Sequence, residues 1–421
     1  MTATSRPIIK CQICGSPELQ SVLFVGYIPP VNTMPPIGQA AEEETTYPLE
    51  LFRCPACTLV QIGLEVDQTV LFPHSYPYLS GSTRILRDNF AQLCEEAGSL
   101  LGLKGGEFIV DIGSNDGTLL APFQKAGYRV LGVEPSQASD VARSKGIPTI
   151  TAYFNHATAA KVKAEYGAAS IITAANVFAH IGSIHDVVNA LLDLLAPDGV
   201  FISESHYLLG LVETLQYDTI YHEHLRYYAL GSLSRLLADH GLEPFHVKRI
   251  PTHGGSFRVY AARKGQRPVQ PSVAERLADE KARGITDGSA LKGFRTRALQ
   301  SKLDLMALLA PIKKAGGRVY GIGAPSRAST LIKYTGIDEG VLDCVLEISS
   351  SHKLNKYMPG TRIPVLDEKK LFVDQPEYAM LLSWHIADEL ALVLRKNGYK
   401  GRFISPLPVP SIIKNDQIEV S

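Results

Sequence analysis

The 421-residue sequence has no excess of charge of either sign: 42 Lys and Arg stand against 42 Asp and Glu. A nucleic-acid binder carries a basic excess or a basic stripe, and neither is present, so no nucleic-acid partner is expected. No run of about 18 apolar residues occurs, which argues against a membrane span. The opening MTATSRPIIKCQICG lacks the long apolar core of a secretory signal. Cysteine is scarce, at six residues. Four of them form two CxxC pairs while Cys94 and Cys344 stand alone, a pattern that favours a cytoplasmic protein with metal-held thiolates over a disulfide framework. Neither GxGxxG nor HExxH occurs, which disfavours a nicotinamide site and a zinc protease. No heptad pattern is visible, so a monomer is expected.

What is present divides into three domains of an α/β protein, a small N-terminal one and two α/β halves with a helical connector between them, because the length exceeds one hydrophobic core. Residues 1–78 are rich in Pro, Cys and turn formers and read as a small zinc-binding domain. Residues 79–268 alternate strands and helices, with FIVDIG, VLGVEP, IITAANVF and GVFISES as short buried strands, so a parallel sheet is expected. The segment opens on a helical pattern through Ile85, Leu86, Phe90, Leu93 and Ala97. Residues 269–315 read as a helical connector. Residues 316–421 start a second strand–helix set with RVYGIGAPSRA, CVLEIS, YAMLLSW and RFISPL.

Cys11 and Cys14 form one knuckle and Cys54 and Cys57 another. Two residues between each pair let both thiolates face one ion, and two knuckles complete a tetrahedral four-cysteine zinc shell. No histidine lies in either pair, so the shell is closed and its role is structural.

Phe108–Ile112 runs as an apolar strand into the turn Gly113-Ser114-Asn115-Asp116-Gly117. Gly113 allows close approach to the backbone, and the helix that follows offers free N–H groups. About 20 residues on, Glu134-Pro135 ends the next strand with a carboxylate suited to ribose hydroxyls. Together these resemble motifs I and II of class I S-adenosylmethionine-dependent methyltransferases, with Asp111, Gly113, Ser114, Asn115, Glu134 and Pro135 at the cofactor. The resemblance extends to Asn176, Phe178 and His180 after the fourth strand, where such enzymes cover the adenine and methionine. Asp116 is either a contact to the methionine portion or a helix cap.

The densest set of titratable and aromatic groups is Tyr217–Tyr228, YDTIYHEHLRYY. It reads either as a polar surface loop or as an acid–base site, since His titrates near neutral pH and Tyr can donate to an oxyanion.

The motifs CxxCG, CxxC, YPYLS, VDIGSNDGTLL, VEPS, NVFAHI, YHEH, HGGSFRVY, GIGAPSRASTL and KYMPGTRIPV run in order over nearly the whole chain. The sequence resembles the family of sugar C-methyltransferases that act on nucleotide-linked ketosugars of deoxysugar pathways. The resemblance implies a zinc domain, a class I methyltransferase domain and a C-terminal Rossmann-like domain, with the sugar nucleotide, dTDP-linked for preference, between the last two. It places Tyr76, Tyr221, Glu223 and His224 at the transfer site, with His224 as base for an enolate, and Tyr78 beside them. His222 has no matching role and is expected to be structural. His253, Ser256, Ser326, Arg327, Lys353 and Tyr357 are expected substrate contacts. Two departures bear on the pocket: Ser205-His206 precedes Tyr207 where the pattern has proline, and Arg327 stands in place of lysine. Methylation at C-3 of a 4-ketosugar is the expected reaction. The alternatives are transfer to oxygen or nitrogen of a sugar nucleotide and a non-catalytic zinc-containing binding protein.

Overall fold

The computed structural model describes residues 5–40, 44–72 and 79–413; Tyr76 and Tyr78 lie outside them. The first sheet is antiparallel, from β1 (Gln20–Ile28), β2 (Tyr47–Arg53) and β3 (Val60–Ile62). Alternate residues of β2 (Tyr47, Leu49, Leu51 and Arg53) are buried, the period-two pattern of a strand with one covered face. The fourth strand of this sheet is Arg226–Tyr227, which pairs with β3. Residues just past the YHEH segment therefore complete the sheet that follows the first zinc knuckle.

The helix α1 (Arg84–Leu101) leads into the central part and ends at Gly102 in the left-handed conformation. It buries Leu86, Phe90, Leu93 and Ala97, whereas Ile85 faces solvent at 41% exposure. The central strands are β4 (Phe108–Ile112), β5 (Arg129–Val133), β6 (Thr149–Ile150) and β7 (Ala169–Ala175), then, after helix α2 (Ile184–Leu194), β8 (Leu195–His206), β9 (Leu242–Ile250) and β10 (Ser256–Arg263). They form one seven-stranded sheet in the order β9-β10-β8-β7-β4-β5-β6, parallel from β8 to β6 and antiparallel at β9 and β10. The order reverses between β4 and β7, which opens a crevice at their carboxyl ends where ligands of doubly wound sheets bind. The β8–β10 register sets His206 opposite Ser256 at that end.

Two helices follow, α3 (Pro271–Ala282) and α4 (Ser289–Lys314). The C-terminal part is β11 (Val319–Ile322), helix α5 (Ser326–Thr335), β12 (Cys344–Glu347), β13 (Lys356–Tyr357), β14 (Pro364–Asp367), β15 (Tyr378–Leu381), β16 (Arg402–Ser405) and β17 (Ser411–Ile413). Its sheet runs β13-β14-β12-β11-β15-β16-β17, parallel from β14 to β16. The fold class is α/β with two Rossmann-like sheets. Among the described residues no helix is long and apolar enough to cross a membrane.

Candidate active site and metal centre

The two knuckles close on each other. Gly15 N–H donates to Cys11 C=O and Thr58 N–H to Cys54 C=O, at 3.0 and 2.9 Å. Each donor sits at positive φ, +71° for Gly15 and +63° for Thr58, so the turns curl both sulfurs of a pair inward. Cys11 Sγ is 3.4 Å from Cys57 Sγ and Cys14 Sγ is 3.6 Å from Cys54 Sγ, and all four lie within 4.8 Å of one another. A disulfide needs about 2.05 Å between sulfurs. A tetrahedral zinc shell with Zn–S near 2.3 Å sets its sulfurs about 3.8 Å apart. The four cysteines fit zinc, and among the described residues no fifth protein group joins them.

The first knuckle reaches the central domain through Arg226, which is 1% exposed. Its guanidinium donates to Gln12 Oε1 (3.0 Å), to Tyr228 Oη (3.0 Å), and to the carbonyls of Phe178 and Ile181. The loop carrying His180 is thus held from the zinc side.

At the crevice, Gly113 has φ +67°, and a Cβ there would lie 2.6 Å from Val177. Only glycine lets the β4 turn pass this close to the β7 turn. Glu134 is anchored by two backbone donors, Asn115 N–H (3.0 Å) and Ser136 N–H (2.8 Å). Among the described residues Asn176, at φ +58°, has a buried Oδ1 with no partner, and His180 has a buried Nδ1 with none. Buried polar atoms left unpaired beside a glycine turn indicate a polar ligand. This end of the sheet therefore fits a nucleoside-bearing cofactor. Asp111 is buried and its Oδ1 accepts Thr173 Oγ1–H at 2.6 Å. Burial, reinforced by Glu134 and Glu204, raises its pKa to about 8 against that hydrogen bond.

Three expected cofactor contacts are different in the structure. The Phe178 ring is fully buried against Phe201, centroids 5.1 Å apart, so it is a core side chain and does not face the crevice. Ser114 Oγ turns beneath the loop against Gly132. Asp116 is spent inside the turn, its oxygens accepting from Thr118 N–H and Oγ1–H, Gly81 N–H and Lys145 Nζ, and the helix Leu120–Lys125 that follows takes no side-chain cap. Pro135 lies between Glu134 and the Ser136 turn that Glu134 holds. The cofactor turn also fixes the residues just after 73–78, since Asn115 Oδ1 accepts Ser80 N–H at 2.8 Å.

Four histidines meet beside this crevice. His224 lies 4.9 Å from His180, 5.2 Å from His206 and 4.1 Å from Tyr221, between ring centroids. His206 lies a further 5.2 Å from His253. His224 Nδ1 is 2.8 Å from the Thr219 carbonyl. A carbonyl only accepts, so Nδ1 carries the hydrogen and Nε2 keeps a free lone pair. Burial, with the neighbouring imidazoles of His180 and His253 and the Arg327 charge, holds the His224 pKa well below its ordinary value. His180 and His253 are lowered to about 4, chiefly by burial. The imidazoles are neutral acceptors at physiological pH. His253 is held at φ +56°, a strained conformation of the kind that gathers at functional sites.

Glu223 accepts Asn32 Nδ2–H at 2.7 Å, and Ser326 Oγ lies 3.3 Å from Asn32 Oδ1. This line joins the YHEH segment, the N-terminal part and the first turn of α5. Lys353 Nζ donates to Ala324 C=O at 2.6 Å and feels the charge of Glu223 and Glu347; burial lowers its pKa. His222 points away, against Tyr47 and the Pro48 carbonyl. Tyr357 sits under Arg362 (5.3 Å), its N–H bonded to Pro35 C=O. Ser256 Oγ–H is spent on Thr252 C=O at 3.0 Å.

Arg327 does not present its charge to a phosphate. Its Nε and Nη2 grip Asp218 at 2.7 and 2.8 Å, Nη2 also reaches Gln216, and the guanidinium lies 4.8 Å over Trp384. Its side chain is 7% exposed. The pair clamps the YHEH segment to the C-terminal part, because a buried guanidinium needs a carboxylate more than the cleft does.

The C-terminal turn repeats the cofactor turn. Gly323 N–H bonds to Leu346 C=O as Gly113 N–H bonds to Val133 C=O, both at 2.8 Å. Glu347 Oε2 takes Ala324 N–H at 2.8 Å as Glu134 takes Asn115 N–H. Glu347, Asn32, Asp218 and His206 were missed by motif reading. Glu347 could have been found, since it ends a second strand as Glu134 does.

Three family descriptions match the chain: a zinc binding domain over residues 11–72, a methyltransferase domain over 84–247 and a C-methyltransferase C-terminal domain over 251–408. C-methyltransferase NovU of Streptomyces niveus is 34% identical over 413 residues, 97% of either chain. Among solved structures, magnesium protoporphyrin IX methyltransferase of Synechocystis PCC 6803 with bound SAM is 17% identical, with a TM-score of 0.33 over 43% of this chain and 83% of that one. The glycopeptide N-methyltransferase MtfA is 12% identical, TM-score 0.33, over 41% and 95%. With a four-cysteine zinc centre, a methyl-donor crevice and full-length similarity in hand, the chain belongs to the zinc-containing, S-adenosylmethionine-dependent C-methyltransferase family.

Proposed function

We propose that this C-methyltransferase acts on C-3 of a nucleotide-diphosphate-linked 4-ketosugar, dTDP-linked for preference, by way of an enolate. The observation that carries the reading is His224: its Nδ1 is committed to the Thr219 carbonyl, which leaves Nε2 as the acceptor of a neutral ring beside the crevice. A carbon acid beside a ketone is weak, and removing its proton calls for a fixed general base. Tyr221, stacked 4.1 Å from His224, is placed to orient that ring. Neutral His180, His206 and His253 offer hydrogen-bond donors to the developing enolate oxygen. Bound S-adenosylmethionine supplies an electrophilic methyl on a sulfonium. Glu134, the Gly113 turn, Asn176 and His180 are the residues that would hold it.

For the sugar nucleotide, Glu223 with Asn32 suits sugar hydroxyls. The Gly323 turn, the first turn of α5 and Lys353 form the cradle for a diphosphate. Glu347 suits the nucleoside sugar. The zinc centre stays outside the chemistry, because its four thiolates leave no open position.

The test is incubation with S-adenosylmethionine and a panel of nucleotide-linked 4-ketosugars in deuterated water, read by mass spectrometry. One added methyl on carbon, with deuterium exchanged next to the ketone, is the expected result. A methyl found on oxygen or nitrogen, or no transfer with any 4-ketosugar despite bound cofactor, would refute it.

A further inference from the structure

The methyl transfer proposed above has a by-product that must leave: one proton per turnover. The C–H bond breaks with its proton on His224 Nε2, and a C–C bond forms as the methyl leaves sulfur. The cofactor departs uncharged, so the substrate proton is the net ionic product. His224 is 8% exposed and its other nitrogen is bonded to Thr219. It has no direct outlet through its own ring.

His206 supplies the next position. It ends β8 at the carboxyl edge of the sheet, with its ring 5.2 Å from His224 on one side and 5.2 Å from His253 on the other. Two imidazoles of this chain that do share a hydrogen bond, His185 and His240, have centroids 5.0 Å apart and nitrogens 2.7 Å apart. The centroid spacing on either side of His206 is within 0.2 Å of that of this hydrogen-bonded pair. Among the described residues His206 and His253 have no hydrogen-bond partner, although both are partly exposed whereas His224 is buried. Exposure therefore rises along the line away from the base. A neutral imidazole takes a proton on one nitrogen and gives up another from the second, which is what a relay needs.

We propose that His206 is a relay residue that carries the substrate proton from His224 to His253 and out of the cleft, an inference that rests on the enolate reading. Nothing is oxidised or reduced; His224, His206 and His253 each end neutral, and water at the rim receives the proton. Arg327, His180 and His385 are cationic or titratable neighbours of this line, and the Arg327 charge opposes storage of the proton on any of its rings. The chain carries histidine here at the position before Tyr207 where the motif pattern has proline.

The experiment compares wild type with His206→Phe on the 4-ketosugar substrate in deuterated water. Solvent deuterium exchange next to the ketone is measured with S-adenosylhomocysteine bound, and single-turnover methyl transfer with S-adenosylmethionine bound. Loss of the relay lets the proton on His224 return to the same carbon, so the ratio of exchange to methyl transfer is expected to fall at least about tenfold, the lower end of proton-transfer contributions. Added imidazole should restore exchange. His206→Gln and His253→Leu give the same direction should the Phe variant fold poorly, with cofactor affinity as the check on folding. An unchanged ratio overturns the relay, as does a raised KM with the ratio intact, which would make His206 a substrate contact only. Wild type that neither exchanges nor methylates removes the enolate reading, and the relay with it.

Discussion

Removing the Asp218 carboxylate should uncouple the C-terminal part from the segment that carries Tyr221 and His224. Asp218 is fully buried, and it accepts from Arg327 twice (2.7 and 2.8 Å) and from the Trp384 indole N–H (2.7 Å). In Asp218→Ala the Arg327 guanidinium keeps Gln216 and a 3.3 Å contact to His385 but loses its counter-charge. Deleting one member of a buried pair costs about 3–5 kcal/mol, because the remaining charge stays desolvated. At about 1.4 kcal/mol per factor of ten, the opening equilibrium rises by roughly two to four powers of ten. Trp384 is the only tryptophan in the chain, so its fluorescence during urea titration reports this contact directly. The transition followed is that of the C-terminal part, since a chain of several domains does not unfold in two states. Asp218→Leu combined with Arg327→Met should cost less than either single change, which marks a coupled pair. A loss under about 1 kcal/mol for Asp218→Ala, or a double variant that is merely additive, would refute the clamp.

Four further outcomes follow from the same geometry. His180, His222 and His253 are lowered to about 4 and His385 to about 3 by burial. The unfolded chain then binds more protons than the folded one below about pH 6.5, so stability is full above that pH and is lost as pH falls toward 4. Urea midpoints from pH 7.5 to 5 check this, and a flat profile contradicts it. Asp111, raised to about 8, contributes the opposite slope, a share of stability lost as pH climbs from about 4 to 8. Asp111→Asn should therefore gain on wild type in melting temperature between pH 5 and 8.5, and a constant difference would rule out the buried acid. Cys11→Ser should lower bound zinc on metal analysis and expose residues 5–72 to protease; full zinc occupancy would exclude Cys11 as a ligand. His224→Gln should cut turnover by about 10²–10⁴-fold with cofactor affinity retained, and near-normal turnover would sink its role as base.

The parts of this protein that could be read from residue order are those whose chemistry is local. Two CxxC pairs state the ligand type, the number of ligands and the closed shell, because two residues between thiolates already impose the turn. DIGSNDG and Glu134 state a methyl-donor crevice for the same reason: the strand, the turn and the helix are consecutive, and the acid ends the next strand. Contacts made between distant segments were not legible. Asp218 and Arg327 are 109 residues apart, and Asn32 and Glu223 are 191 apart; nothing in either segment names the other. Arg327 follows a glycine turn as a phosphate ligand would, and only its packing against Asp218 and Trp384 turns it into a clamp. Phe178 stands among crevice residues, yet its ring points into the core against Phe201. His206 looked like a lone irregularity beside Tyr207 until the β8–β10 register and the fold of YHEH set it between two other histidines. Spacing along the chain determines a knuckle or a turn because the peptide geometry is fixed within a few residues. Which buried charge meets which carboxylate, and which imidazole stands beside the base, depends on how whole sheets dock, and that is settled by the packing of three parts on one another.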